Sequence, residues 1–135
     1  MTSHPYLRAY LAGIAVPTVL LLVALGGFLA AHFAGGRVPV ERLLVFPMAV
    51  VPNLWGLWNI LYVALRRRRR WPIGLHGAAL PFLLLPAGLL LAQALEIAVY
   101  TPARVATLFP VALIVYYLAW KHAVGFLNRL LGVEP

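Results

Sequence analysis

The stretch Ile60–Leu80, "ILYVALRRRRRWPIGLHGAAL", decides the fold: five consecutive arginines, Arg66 to Arg70, stand between two apolar runs. Unpaired cations are not stable in hydrocarbon, so if the flanking runs cross a bilayer the arginines mark its surface. Composition says that they do cross. Only 10% of the 135 residues are charged and 64% are hydrophobic, with a mean hydropathy of +0.93. Soluble domains are about a quarter charged, so this chain has too little polar surface to cover a globule in water.

A membrane-spanning helix needs about 20 predominantly apolar residues at about 1.5 Å rise each. Four stretches meet that requirement: residues 9–34, 43–65, 73–100 and 105–127, the last of them clearest as far as Trp120. Their connections, "GGRVPVER", "RRRRRWP" and "TPAR", are short. Short loops force antiparallel neighbours, so the expected fold is an all-α integral membrane protein, a four-helix up-down-up-down transmembrane bundle formed by residues 1–135 as one domain. The first run is longer than the apolar region of a signal peptide and has no small-x-small site near His32 and Phe33, so it is expected to stay on the mature chain.

Charge sets the orientation. With the Arg66–Arg70 loop cytoplasmic, both termini are cytoplasmic, and the eleven cations divide into eight inside (Arg8, Arg66, Arg67, Arg68, Arg69, Arg70, Lys121, Arg129) and three outside (Arg37, Arg42, Arg104). That division obeys the positive-inside rule and the reverse violates it. The expected location is the inner (plasma) membrane of a bacterium, with Trp71, Trp120, Tyr6 and Tyr10 as an inner aromatic belt. Arg66, Arg67, Arg68, Arg69, Arg70 and Trp71 then read as a topology anchor attracted to anionic lipid headgroups, worth about 1 kcal/mol per cation. No nucleic-acid partner is expected, because no soluble module is present to display stacking side chains beside the run.

Six prolines fall inside the expected spans, Pro17, Pro47, Pro52, Pro81, Pro86 and Pro110, and each deletes a helical hydrogen bond, so the helices should be bent. Helix association in lipid depends on small residues that permit close approach. Gly74/Ala78, Gly88/Ala92 and Ala94/Ala98 make the third span the expected centre of contact, with Gly27/Ala31 on the first. Spacing alone leaves open whether such faces pack within one chain, between copies in a homo-oligomer, or against a larger membrane complex.

Polar side chains inside a membrane are costly and mark partners or work. On the second span, at about 100° per residue, Pro52, Trp55, Trp58, Asn59 and Tyr62 share an arc of about 120° while Asn53 points elsewhere. Asn53, Trp55, Trp58, Asn59 and Tyr62 are therefore a candidate ligand or permeation surface, and equally an aromatic packing face with interhelical amide bonds. The matching positions Pro52, Asn53, Gly56, Leu61 and Tyr62 resemble the Pro-Asn helix of the SWEET sugar transporters, which implies a substrate contact for Asn53. The segment "WNILY" resembles the tryptophan-x-x-Leu-Tyr element of the translocator-protein family. Each likeness covers about a tenth of the chain, the number of spans differs from both families, and neither assigns membership.

On the third span Gln93, Glu96 and Tyr100 form a second polar group, with Arg104 across the "TPAR" turn. Glu96 is the one acid in any expected span, a default candidate for cation coupling. Counting from Trp71, about 25 residues at about 1.5 Å put it roughly 37 Å away, at the outer rim of a core about 30 Å thick. A Glu96–Arg104 ion pair is the structural reading. His76 and His122 both fall in the inner leaflet on antiparallel helices, a bis-histidine haem b arrangement in outline. No metal or other cofactor is expected. The chain has no Cys, no Asp and a single Ser, and no catalytic constellation emerges, so an enzyme is not expected. The expected function is a homo-oligomeric transporter or channel for a small solute or ion. The alternatives are an accessory or scaffold subunit of a larger membrane complex and, as a minor one, a haem protein.

Overall fold

The computed structural model describes residues 4–36, 49–66, 68, 70–94 and 102–133. Among these, all regular structure is helical: α1 (Pro5–Phe33), α2 (Ala49–Arg66), α3 (Ile73–Ala79), α4 (Pro81–Ala94), α5 (Pro102–Leu118), a π-helical turn (Ala119–Val124) and α6 (Gly125–Leu130). Pro5 opens α1 at a position whose N–H has no helical partner. Two ends are closed by glycine in the left-handed region. Gly35 (φ 89°) ends α1, with Gly36 N–H donating to Ala31 O at 2.9 Å, and Gly132 (φ 64°) ends α6, with Val133 N–H donating to Asn128 O at 2.8 Å.

Proline acts unevenly. Pro17, Pro52, Pro86 and Pro110 lie inside helices without ending them. At Pro81, which has no N–H to give, the ladder changes hands: Leu80 N–H turns back to Gly77 O at 3.0 Å, and Leu84 N–H resumes on Leu80 O at 3.0 Å. This joint divides the third expected span into α3 and α4. Pro47 is outside the described residues.

Among the described residues, three helical stretches are long and apolar enough to cross a membrane: Pro5–Phe33, Ile73–Leu90 through the Pro81 joint, and Val105–Leu130 through the π turn. The fourth span thus runs past Trp120 and Leu127. The second expected span is represented by α2, which is not among the three. Asn53, Asn59 and Arg66 dilute its apolar character, and residues 43–48 lie outside the described residues.

Among the described residues the most extensive helix pair is α1 with α2. They run antiparallel, Ala9 meeting Asn59 while Gly13 meets Gly56. A Cβ on Gly13 would lie 2.6 Å from Trp55 O and 2.8 Å from Gly56 Cα, so backbone touches backbone at this crossing. The third span was the expected centre of contact on its small residues, and among its described residues close approach is seen in α3. There Gly74 receives Tyr117 and Gly77 receives Trp120, glycines three apart facing aromatics three apart. Gly27 has nothing within 4 Å of where a Cβ would stand. At the far end of α6 the chain returns to its beginning, Arg8 Nη1 donating to Leu131 O at 3.2 Å.

Trp55, Leu80, Trp120 and Val124 form the buried core, whereas Val19, Val23, Leu83, Ile114 and Val115 are exposed. This inversion suits a solvent of lipid, where apolar side chains gain nothing by hiding and close packing with internal hydrogen bonds holds helices together.

Candidate functional site

The stripe on α2 turns inward as a unit. Pro52, Trp55, Asn59 and Tyr62 are buried and Trp58 is half-buried, while Asn53 is exposed. Asn59 stands where α1, α2 and α6 meet, with no exposed surface, and so does Asn128. Asn59 Nδ2 donates to Ala9 O at 2.7 Å and to Asn128 Oδ1 at 2.8 Å, and Asn128 Nδ2 returns a bond to Asn59 Oδ1 at 3.1 Å. Both N–H donors of Asn59 are spent. In a low-dielectric interior such mutual satisfaction turns a costly pair of amides into a specific lock among three helices.

A second reciprocal pair lies one step along the helix. Trp58 Nε1 donates to His76 O at 2.8 Å, and His76 Nε2 is 2.9 Å from Trp58 O. A carbonyl only accepts, so the proton of this imidazole is on Nε2. The two rings stack at 4.9 Å and 25°. Around them Tyr62 lies 5.3 Å and Trp120 5.8 Å from His76, and Trp55 is 5.4 Å from Trp120 and 5.0 Å from Tyr116. The whole is one aromatic cluster joining α2, α3, α5 and the π turn.

One expectation is corrected here. Trp120 does not serve the inner belt: it is fully buried, set onto the Cβ-less face of Gly77 at the start of the π turn. His76 and His122, outlined as a bis-histidine pair, differ in setting: His76 is a buried member of the stack with Nε2 bonded to Trp58 O, while His122 is exposed. Among the described residues no three metal-ligating side chains gather.

The arginine end is partly described. Arg66 closes α2, Arg68 N–H donates to Leu65 O at 2.8 Å, and Trp71 is exposed. Arg67 and Arg69 lie outside the described residues. Between α2 and α3 a cavity of about 210 Å³ opens at Arg66 and Trp71, lined also by Trp58, Tyr62, Leu65 and His76, among others. On the opposite flank of α2, Tyr10 hydroxyl donates to Asn53 Oδ1 at the edge of a hollow of about 240 Å³ that also reaches Thr18. Of the outer polar group, Gln93 is exposed near the end of α4. Glu96 and Tyr100 lie outside the described residues, as does the side chain of Arg104 on α5, so the pairing expected there is not among the described features.

No family model, curated protein or solved structure matches this chain.

Sequence reasoning missed Asn128, Gly13, Gly56 and Gly77. Asn128 carried a readable signal, an amide in an otherwise apolar helix, but it lies just past the point where the fourth span was ended. Chemically, both donors of Asn59 are spent inside the junction, while the indole N–H groups of Trp55 and Trp120 are buried without a hydrogen-bond partner among the described residues. Among the described residues, polar groups line the cavity at Arg66 and the hollow at Asn53.

Proposed function

We propose that this chain is a four-helix, up-down-up-down protein of a bacterial inner membrane, with both termini and the arginine run cytoplasmic, acting as a non-catalytic accessory or scaffold subunit of a larger membrane complex. The eight-to-three division of cations supports the orientation. The observation that carries the accessory role is the closed Asn59–Asn128–Ala9 junction: the amide best placed to guide a solute spends both its donors on holding helices together. A path through one chain along Trp55, Asn59 and Tyr62 would have to break that junction.

A second reading, a homo-oligomeric transporter, has one observation in its favour. Tyr10, Thr18 and Asn53 set polar atoms on the outer flank of α1 and α2, where lipid solvates them poorly and a neighbouring copy would cover them. The solute path would then run between chains, with Gln93 and Glu96 as its outer gate.

Labelling separates the two. The chain has no Cys, so single cysteines can be read without background using a membrane-impermeant maleimide. Arg68→Cys is expected to react in inverted vesicles and not in intact cells. Trp55→Cys, buried within the chain, and Thr18→Cys, on the flank that a path between chains would use, are expected to stay unlabelled from both sides. Labelling at either position would support a water-filled path and remove the accessory reading; labelling of Arg68→Cys from outside would overturn the orientation.

A further inference from the structure

We propose that the cavity at Arg66 is a binding site for one anionic phospholipid, which seats its phosphate at the guanidinium and the start of an acyl chain on the aromatic floor. The inference rests on the membrane reading above and adds to it a discrete site with a preferred headgroup.

The cavity lies where headgroups lie if the arginine run faces the cytoplasm, at the end of α2 and beside exposed Trp71. Its lining joins the buried rings of Tyr62 and His76, which with half-buried Trp58 make its floor, to Leu65, Ala79, exposed Trp71 and the charge of Arg66. One cation at the mouth of an apolar hollow is the complement of an amphiphile. A free phosphate would gain nothing from the floor, and a sugar would need more polar partners than the lining holds.

Size points the same way. At about 210 Å³ the hollow is below the roughly 300–1,000 Å³ that encloses a whole small ligand. It fits part of a molecule whose remainder lies in the bilayer. Electrostatics agrees in sign, since the carbonyl end of α2 contributes about half a negative charge against the full positive charges of Arg66, Arg68 and Arg70.

Delocalised attraction of basic residues to an acidic leaflet would give lipid preference without any site, so the test must tell the two apart. Full-length protein is reconstituted in phosphatidylcholine vesicles containing either brominated phosphatidylglycerol or brominated phosphatidylcholine, and quenching of tryptophan emission is measured. Trp58 and Trp71 line the cavity and report occupancy. At equal mole fraction the brominated phosphatidylglycerol should quench more. Arg66→Gln should weaken that preference about tenfold, as expected for loss of a charge-assisted contact. Ala79→Phe fills the hollow while keeping every charge, and should abolish the preference. Arg129→Gln removes the same charge from an exposed position off the cavity and should retain it. Inorganic phosphate in the buffer should not compete.

Equal quenching by the two lipids overturns the site, as does an Ala79→Phe variant that binds like wild type, an Arg129→Gln loss as large as that of Arg66→Gln, or full competition by inorganic phosphate. If Arg66→Gln does not fold, Ala79→Phe decides. Protein that fails to float with the vesicles overturns the membrane reading itself, and with it the site; protein that floats without headgroup preference overturns the site alone.

Discussion

Gly77→Ala is expected to cost about 3 kcal/mol, the upper end of what overpacking a core usually costs, and to shift tryptophan emission to the red. The added Cβ would stand 2.0 Å from Trp120 Cγ and 2.3 Å from Trp120 Cβ. Those atoms are the root of the indole, so no rotation of the ring relieves the clash and the π turn itself must move. Trp120 in turn touches Trp55 and His76, with ring centroids at 5.4 and 5.8 Å, so the displacement spreads through the cluster that joins four helical elements. Gly27→Ala is the matched control. Nothing lies within 4 Å of its Cβ position, and helix propensity alone should make it neutral or more stable by about 0.5–1 kcal/mol. Unfolding in mixed micelles, followed by tryptophan emission, measures both. A Gly77→Ala protein with wild-type stability and unshifted emission would mean that Trp120 is not seated on Gly77.

The inward phase of the α2 stripe was legible in sequence because one helix has one period, and in lipid polar groups have nowhere to go but toward other helices. Pro52, Trp55, Trp58, Asn59 and Tyr62 accordingly share the inner side and Asn53 the outer one. What each inward residue meets was not legible, since that depends on how far neighbouring helices are rotated. Trp120 illustrates the difficulty. Its neighbour Lys121 suggested the interface, but the wider π turn at Ala119–Val124 carries no sequence signature and delivers the ring to the core. The glycines were misjudged for a related reason. Four-residue spacing flagged Gly74/Ala78, whereas the contact uses Gly74 and Gly77 against Tyr117 and Trp120, a match between two helices that neither displays alone.

The candidate site divides along the same line. Polar residues in apolar surroundings could be found from composition, and Asn59 was. Whether such a residue handles a solute or fastens a helix depends on its partners, and the two partners of Asn59 are 50 and 69 positions away in the chain. Side chains that a single segment exposes at an interface, such as Arg66 and Trp71, suffer less from this problem, because bilayer depth and local charge already constrain them.

Asn59→Leu should therefore act on stability before it acts on any solute. The substitution keeps similar volume but removes two donors and one acceptor, leaving Asn128 fully buried with the amide bonds to Asn59 gone and Ala9 O without its side-chain donor. Hydrogen bonds between membrane helices measure only about 0.6 kcal/mol on average, since the unfolded chain in lipid also finds partners. An amide stranded in a packed core adds a desolvation cost of about 1–3 kcal/mol. The expected loss is about 2 kcal/mol, read by the same unfolding titration. The double variant Asn59→Leu/Asn128→Leu removes the stranded amide as well, and should recover more than half of that loss, a coupling that independent sites would not show. If the two single losses simply add, the amides are not a reciprocal pair and the junction is held by packing alone. If Asn59→Leu instead leaves stability unchanged and abolishes flux of some solute in vesicles, Asn59 is a ligand and the transport reading prevails.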